Sequence, residues 1–290
     1  MKSLIEIIKQ AESNKIAIGH FNVSDLAALK AIFEVSRNLQ VPVIIGVSEG
    51  ERDFIGVKQI AALIKSLRDE YDYPIFLNAD HTHSLEKLKQ VVEAGFDAAV
   101  FDASKFAFKE NIKKTKEAVE YVKSVNPNFL LEGELGYIGS GSTLLKEIPA
   151  GAAIKPEDLT KPDEAAQFIK ETGIDLFAPA VGNLHGIIAG AEGNPALNIQ
   201  RISEIKSAVN IPLVLHGGSG IKDEDFILSI DAGISIIHIN TELRLAWRKG
   251  MEKALKENPG EITPYKLLPI VIEEIKYVVE QRLKLFNRLI

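Results

Sequence analysis

The 290-residue chain contains no cysteine. Disulfides and thiolate metal sites are therefore excluded, and any transition metal has to be held by His, Asp or Glu. No stretch approaches the roughly 20 uninterrupted apolar residues of a membrane-spanning helix. Excess positive charge is missing too: the net charge is −6 with 26% charged residues, which argues against a broad nucleic-acid or anionic-membrane surface. A small anionic substrate remains compatible, because a pocket can be locally positive on an acidic protein. Fixed-period repeats and low-complexity tracts are absent. The first fifteen residues carry a short apolar stripe interrupted by Glu6, Lys9 and Glu12. That is the pattern of an amphipathic helix rather than a signal peptide, and the expected compartment is the cytosol, a cytoplasmic location.

What is present is an alternation of two periodicities. Apolar, β-branched runs at 16–21, 41–47, 74–79, 98–101, 129–134, 175–178, 211–216 and 235–239 predict eight strands. Between them lie segments with apolar residues every three or four positions, such as 26–39, 85–94 and 112–125. Strands buried on both faces and separated by helices imply a parallel sheet. Eight units imply closure into an α/β, (β/α)8 TIM barrel with an N-terminal helix and an extra C-terminal helix over 264–290. That last helix is expected to pack against a barrel end or a neighbouring subunit. An open doubly wound sheet would need fewer strands and a Gly-rich first turn, and neither is found. The apolar share of 46% supplies a large core, and barrels of this length form one domain, expected over 1–290. The longest irregular stretch, 136–162, is expected to be a lid or insertion.

In such a barrel the chemistry sits where strands end. Polar residues mark every one of these ends, and all six histidines fall there: His20, His81, His83, His185, His216 and His238. A single His at such a place is usually a hydrogen-bonded structural residue, and His20, His83 and His238 are read so. His81, His185 and His216 come from three different strands, and three imidazoles with an open fourth position suit catalytic zinc. Asp80 precedes His81, and neighbours in an extended segment point to opposite sides. Asp80 is then an orienting group, a separate acid/base, or simply a turn or cap carboxylate. Asp102 and Glu134 could hold a second cation or organise the ligands. The run His216-Gly217-Gly218-Ser219-Gly220 reads as a phosphate cradle or as a tight turn. Asn240-Thr241 at the eighth strand end favours the cradle, since loops after strands seven and eight commonly bind phosphate.

Taken together, these residues resemble the class II (metal-dependent) fructose- and tagatose-bisphosphate aldolases over essentially the whole chain. The resemblance runs through Gly19-His20-Phe21-Asn22-Val23, Ala79-Asp80-His81, Phe101-Asp102-Ala103-Ser104 and Glu132-Gly133-Glu134-Leu135-Gly136. It continues in Gly182-Asn183-Leu184-His185-Gly186, Leu215 to Gly220 and Asn240-Thr241-Glu242-Leu243. It implies zinc on His81, His185 and His216, and Asp80 as the acid/base at the hydroxyl of the cleaved bond. Asp102 and Glu134 would serve a second or alternative divalent position. Gly186, Gly217, Ser219, Asn240 and Thr241 would surround the phosphate of dihydroxyacetone phosphate, with a monovalent cation nearby in some members. Asn22 and Ser48 match positions at the other end of the ketose. The implied partner is a phosphorylated sugar, with fructose 1,6-bisphosphate first, and the implied assembly is a homodimer or homotetramer. A lysine Schiff base would be the metal-free route, but no lysine stands at a strand end; Lys105 lies just past the fourth.

Three departures stand out. The segment from Tyr137 to Thr143 lacks the acidic residues that follow the Gly-Gly pair in relatives, leaving Glu147, Glu132 or another group to move the proton on the enediolate carbon. The lysine expected a few residues after Gly186 is missing near Ala189-Gly190. His238 stands where most relatives carry an Asn that touches substrate. These changes spare the metal residues and alter the substrate surroundings, so a branch preferring another sugar is expected. Alternatives are a tagatose-bisphosphate or other phosphorylated-ketose aldolase, a non-catalytic aldolase partner subunit, and a metal-dependent barrel hydrolase.

Overall fold

The computed structural model describes residues 2–139, 141–189 and 194–289. It opens with α1 (Leu4–Ser13), capped by the Ser3–Glu6 capping box, whose face of Leu4, Ile7, Ile8 and Ala11 is buried. The chain then alternates as β1 (Ile18–Asn22), α2 (Leu26–Leu39), β2 (Val43–Val47), α3 (Glu49–Ile55), α4 (Val57–Tyr71), β3 (Ile75–Thr82) and α5 (Leu85–Glu93). It continues with β4 (Ala98–Phe101), α6 (Phe108–Val125), β5 (Leu130–Leu135), β6 (Leu144–Leu145), α7 (Pro162–Thr172), β7 (Leu176–Pro179) and β8 (Ile187–Ile188). The last elements are α8 (Ile199–Ala208), β9 (Leu213–Leu215), α9 (Asp223–Ala232), β10 (Ile234–Ile239), α10 (Thr241–Glu257) and α11 (Pro264–Phe286).

Eight of the strands close a parallel barrel in the order β1-β10-β9-β7-β5-β4-β3-β2, the TIM barrel expected. Helices lie outside it because each strand's outward residues are apolar and need a cover: Val43, Ile45 and Val47 on β2 are all buried against this layer. Helix α2 shows the local logic. The Asp25 carboxylate accepts the Ala28 N–H at 2.8 Å to start it, and Gln40 ends it in the left-handed conformation at φ 55°. Inside the barrel, Ile18, Ile44, Phe76, Leu130, Leu176, Val214 and Ile236 form a plug at the N-terminal end, closed below by α1.

Three features differ from the sequence expectation. The 136–162 stretch is not wholly irregular, because β6 pairs in parallel with β8 and lays the loop after β5 against the loop after β7. Two helices follow β2, split at Gly56 with φ 97°, and the short first one reaches into the barrel mouth. The last helix packs on the flank of the barrel, where its stripe of Val271, Ile275, Val279 and Leu283 is buried against α10 and α2. Among the described residues no helix is long and apolar enough to cross a membrane.

Candidate active site

The site begins with an irregularity in β3. Its register slips between Ala79 and Thr82, and His81 adopts φ 38°, a left-handed backbone that side-chain-bearing residues rarely use. Strict alternation would send Asp80 and His81 to opposite sides. The slip instead turns both into one cavity, with Asp80 Oδ1 and His81 Nε2 3.8 Å apart. A buried cation holds this bend. The Arg52 guanidinium donates to the carbonyls of Val47 and Asp80 and to Thr82 Oγ1, tying α3 to both sides of His81.

His81, His185 and His216 converge from β3 and from the loops after β7 and β9, with ligand atoms within 4.8 Å of one another. The outer nitrogens decide what the inner ones are. His185 Nδ1 donates to the Gly139 carbonyl at 2.8 Å, and His216 Nε2 to Glu132 Oε1 at 2.6 Å. His81 Nδ1 donates to Asp102 Oδ2 at 3.0 Å. Each such bond leaves a lone pair on the facing nitrogen. His185 Nε2 and His216 Nδ1 both aim theirs at His81 Nε2, at 3.1 and 3.2 Å. One proton there can satisfy only one of the two, whereas a divalent cation satisfies all three, so the residues fit a metal.

The electrostatics point the same way. Burial opposes a charge on His81, yet Asp80 foremost, with Asp102 and Glu134, raises its pKa to about 10. Burial and then the neighbouring imidazoles His81 and His216 lower His185 to about 3. The pocket thus asks for one positive charge at its centre. Burial, and then Asp102, raise Glu134 to about 8, and its buried Oε2 lacks a hydrogen-bond partner among the described residues. That oxygen lies 3.6 Å from His81 Nδ1, so His81, Asp102 and Glu134 form a second group able to hold a cation.

The anion cradle is also assembled. Gly186, Gly217, Ser219, Asn240 and Thr241 line one small cavity with Asn22, Asp80, His81, His185 and His238. Gly217 has φ 62°, and a Cβ there would stand 2.2 Å from the Leu184 carbonyl, so this position admits no side chain. Ser219 Oγ accepts the N–H groups of Asn240 and Glu242 at 3.3 and 3.2 Å, joining the loops after β9 and β10. The cavity opens into a cleft of about 270 Å³ lined by Ser48, Glu49, His83, Asp102, Ser142 and Arg244 among others.

The remaining expected residues divide. His20 and His238 are buried and stacked, with ring centroids 3.5 Å apart, and His238 stacks on His216 at 4.1 Å. His238 also reaches the cavity and places Nδ1 3.4 Å from Asp80 Oδ1, so it does more than pack. His83 is exposed on the rim. Of the acids named for the proton step, Glu132 is engaged by His216 and Glu147 is exposed outside the cleft lining. The acids that do line the cleft are Glu49, Asp80 and Asp102. Lys105 lies over the Tyr137 ring, and among the described residues no lysine lines the cleft. Ser140 and Gly190, in two of the altered segments, lie outside the described residues.

Two residues were missed by sequence reasoning. Arg244 is the cation of the cleft among the described residues, and Glu51 is the buried carboxylate it meets at 2.8 Å. The signals were modest: Arg244 stands one helical turn past Asn240, and Ser48 with Glu51 spells a capping box.

A family model described as fructose-bisphosphate aldolase class-II matches residues 2–289. The chain is 33% identical to the fructose-bisphosphate aldolase of Geobacillus stearothermophilus over 288 residues, covering 98% of this chain and 96% of the relative. It is also 33% identical to a probable fructose-bisphosphate aldolase of Bacillus subtilis strain 168, covering 98% and 97%. Among solved structures, the YdjI aldolase from Escherichia coli K12 superposes with a TM-score of 0.82 at 31% identity, covering 98% of this chain and 97% of that one.

Proposed function

The chain belongs to the class II fructose-bisphosphate aldolase family, and from that premise we propose that it reversibly cleaves fructose 1,6-bisphosphate to dihydroxyacetone phosphate and an aldehyde phosphate. It is a carbon–carbon lyase. The observation that carries the reading is the meeting of three imidazole lone pairs at His81 Nε2, each fixed by a partner on the far side of its ring. Zinc is the proposed ion, because imidazole without thiolate is a donor set that suits it. Asp102 and Glu134, with His81, are the proposed alternative position for a divalent cation.

The residues divide the work as follows. Gly186, Gly217, Ser219, Asn240 and Thr241 hold the phosphate of the three-carbon half, with backbone N–H groups at the start of α10 favouring the anion. Asn22 and Ser48 contact the other end of the ketose. Asp80 takes the proton of the C4 hydroxyl; the C4–O bond becomes a carbonyl, and the C3–C4 electron pair is left on the three-carbon half. His81, His185 and His216 would hold a divalent cation there, and it would supply the positive charge that stabilises that electron pair. Burial raises the carboxyl of Asp80, but His81 and His238 outweigh that and hold it well below the ordinary range, so it stands ready as a base at neutral pH. Of the acids facing the cleft, Glu49 is the one we assign to the proton on C3, in place of the missing loop acids.

A second reading has its own support. Arg244 is already paired with Glu51, so the far end of the cleft offers little net positive charge to a second phosphate. That favours a ketose 1-phosphate, or a bisphosphate such as tagatose 1,6-bisphosphate bound in another way. Cleavage rates on fructose 1,6-bisphosphate, tagatose 1,6-bisphosphate and ketose 1-phosphates, with metal analysis and a chelator control, decide between them. Fructose 1,6-bisphosphate as the clear best substrate would end the second reading. Negligible rates on both bisphosphates would end the first.

The proposal includes one catalytic unit over 1–290 acting in the cytosol as a homodimer or homotetramer. Exposed Ile262, Tyr265 and Tyr277 on and before α11 support an oligomer.

A further inference from the structure

Glu51 sits at the third position of α3, where its carboxylate accepts the Ser48 N–H at 2.7 Å as half of a capping box. A cap needs no more than that. Yet this carboxylate is buried and receives two further side chains from distant elements. Arg244 Nη2 of α10 donates to Oε1 at 2.8 Å, and Asn22 Nδ2 of β1 donates to Oε2 at 2.9 Å. The same Asn22 nitrogen donates its second hydrogen to Asp80 Oδ2 at 2.9 Å. Arg244 in turn donates through Nη1 to the Ser142 carbonyl, at 2.9 Å, in the segment between β5 and β6.

We infer that Glu51 is a positioning residue for carbon–carbon cleavage, fixing Asn22 so that its amide N–H faces Asp80 and tying that setting to the loop over the site through Arg244. The orientation follows from donor and acceptor counting. An Asn side chain presents two donors on one side and an acceptor on the other, and only the donor side suits a carboxylate. With Asp80 alone as neighbour, rotation of the amide would place oxygen against oxygen for half its settings. A second carboxylate at the other hydrogen removes that choice. Its next neighbour on α3, Arg52, grips the Asp80 carbonyl, so one short helix sets both the backbone and the carboxylate of Asp80.

The inference rests on the reading of Asp80 as the group that takes the C4 hydroxyl proton. That step is used in breaking and making the C3–C4 bond, and not in the exchange of the C3 proton of dihydroxyacetone phosphate with solvent. Glu51→Leu removes the acceptor of Asn22, and Glu51→Gln restores it. The Ser48 N–H and Asn22 share Oε2, so the glutamine oxygen that keeps the cap also keeps Asn22 in place. Its NH2 group then faces Arg244, donor against donor, so this variant breaks only the tie to the loop.

The test uses the metal-loaded enzyme in two assays, turnover of fructose 1,6-bisphosphate and deuterium exchange at C3 of dihydroxyacetone phosphate followed by NMR. In Glu51→Leu, kcat for cleavage is expected to fall roughly 10–100-fold, the usual effect of removing a group that orients another, and Glu51→Gln is expected to recover part of it. C3 exchange and metal content are expected to stay near wild type in both variants. Unchanged cleavage in Glu51→Leu would leave Glu51 as a cap only and overturn the inference. An equal fall in cleavage and exchange would also overturn it, since that marks general damage to the site. If the wild-type enzyme neither cleaves a phosphorylated ketose nor exchanges this proton, the functional reading fails first and the inference falls with it.

Discussion

The two ends of the same eight strands are built on opposite terms. Side chains two residues apart on a strand share a face, so each inward-pointing series can be followed from the closed end to the open one. On β1 it runs Ile18, His20, Asn22; on β3, Phe76, Asn78, Asp80; on β5, Leu130, Glu132, Glu134; on β10 and the residue just past it, Ile236, His238, Asn240. Two steps take every one of these series from hydrocarbon to chemistry. At the closed end the plug is apolar and meets the apolar face of α1. At the open end, Asp80, Glu132, Glu134 and His216 are buried, and Asp80 Oδ1, Glu134 Oε2 and His238 Nε2 have no hydrogen-bond partner among the described residues. Unpaired polar atoms in a dry interior cost roughly 1–3 kcal/mol each, so the open end carries strain that the hydrocarbon of the closed end offsets. Stability and chemistry are separated along the strand axis by two such steps, about four residues.

The sharpest way to probe the open end is to remove one of its imidazoles. His216→Ala leaves Glu132 without the N–H it now accepts at 2.6 Å and removes one of three facing nitrogens. Metal and turnover should be lost together, by more than the about 10–100-fold that follows loss of a ligand's outer partner. Metal content and kcat measured on the same preparation check this, and retained metal with lost turnover would move His216 out of the ligand set. Asp80→Ala should instead keep the metal and lower kcat about 10²–10⁴-fold, the usual contribution of a general acid/base. Full activity in that variant would return Asp80 to a purely structural role.

The closed end should respond in the opposite currency. Phe76 is 2% exposed and lies in the plug, two residues below Asn78 and four below Asp80. Phe76→Ala should cost about 3–5 kcal/mol of stability through lost burial and the cavity left behind. Metal content, and kcat at a temperature where the variant stays folded, should hardly change. Denaturant unfolding beside steady-state kinetics reads both. A variant that keeps its stability but loses most of its turnover would show that the two ends are not separable.

The same contrast explains what could be read from the chain. Every barrel strand begins within two residues of its expected start, because strands buried on both faces must be continuous apolar runs with a visible edge. The three histidines were legible for a related reason, since the end of each run marks the mouth of the barrel. What stayed hidden was set by distant partners. The bend at His81 depends on Arg52, about thirty positions earlier, and nothing in Ala79-Asp80-His81 announces a left-handed residue. Glu132 reads as a spare acid until His216 is seen bound to it. Arg244 and Glu51 lie 193 positions apart, and neither has any local reason to be buried in a pair. Periodicity reports on faces, and it is silent about which side chains on one face will meet.

His20 tests the boundary between the two ends, because it sits one step above the plug and one below the chemistry. It is fully buried, with Gly46 leaving room for its ring: a Cβ there would stand 2.1 Å from it. Its Nε2 is 3.0 Å from Asn78 Nδ2, and its Nδ1 is without a partner among the described residues. Burial lowers its pKa from 6.5 to about 4, a drop that the nearby Asp80 charge does not prevent. The sign of the consequence is fixed. Above pH 6.5 the ring is neutral in both folded and unfolded chains, and it contributes no pH dependence. Between pH 6.5 and about 4 the unfolded chain takes up a proton that the native ring refuses, so stability falls as the pH falls. The full drop amounts to roughly 3 kcal/mol, and it is complete once the native ring also protonates. His185 and His238, likewise lowered, add slope of the same sign in the metal-free protein, so the difference between two proteins isolates His20. The unfolding free energy of wild type minus that of His20→Asn should fall by roughly 3 kcal/mol across that range, whatever its value at neutral pH. Curves that stay parallel would mean that the ring is protonated inside the native barrel, and that the polar end reaches one layer deeper than its hydrogen bonds indicate.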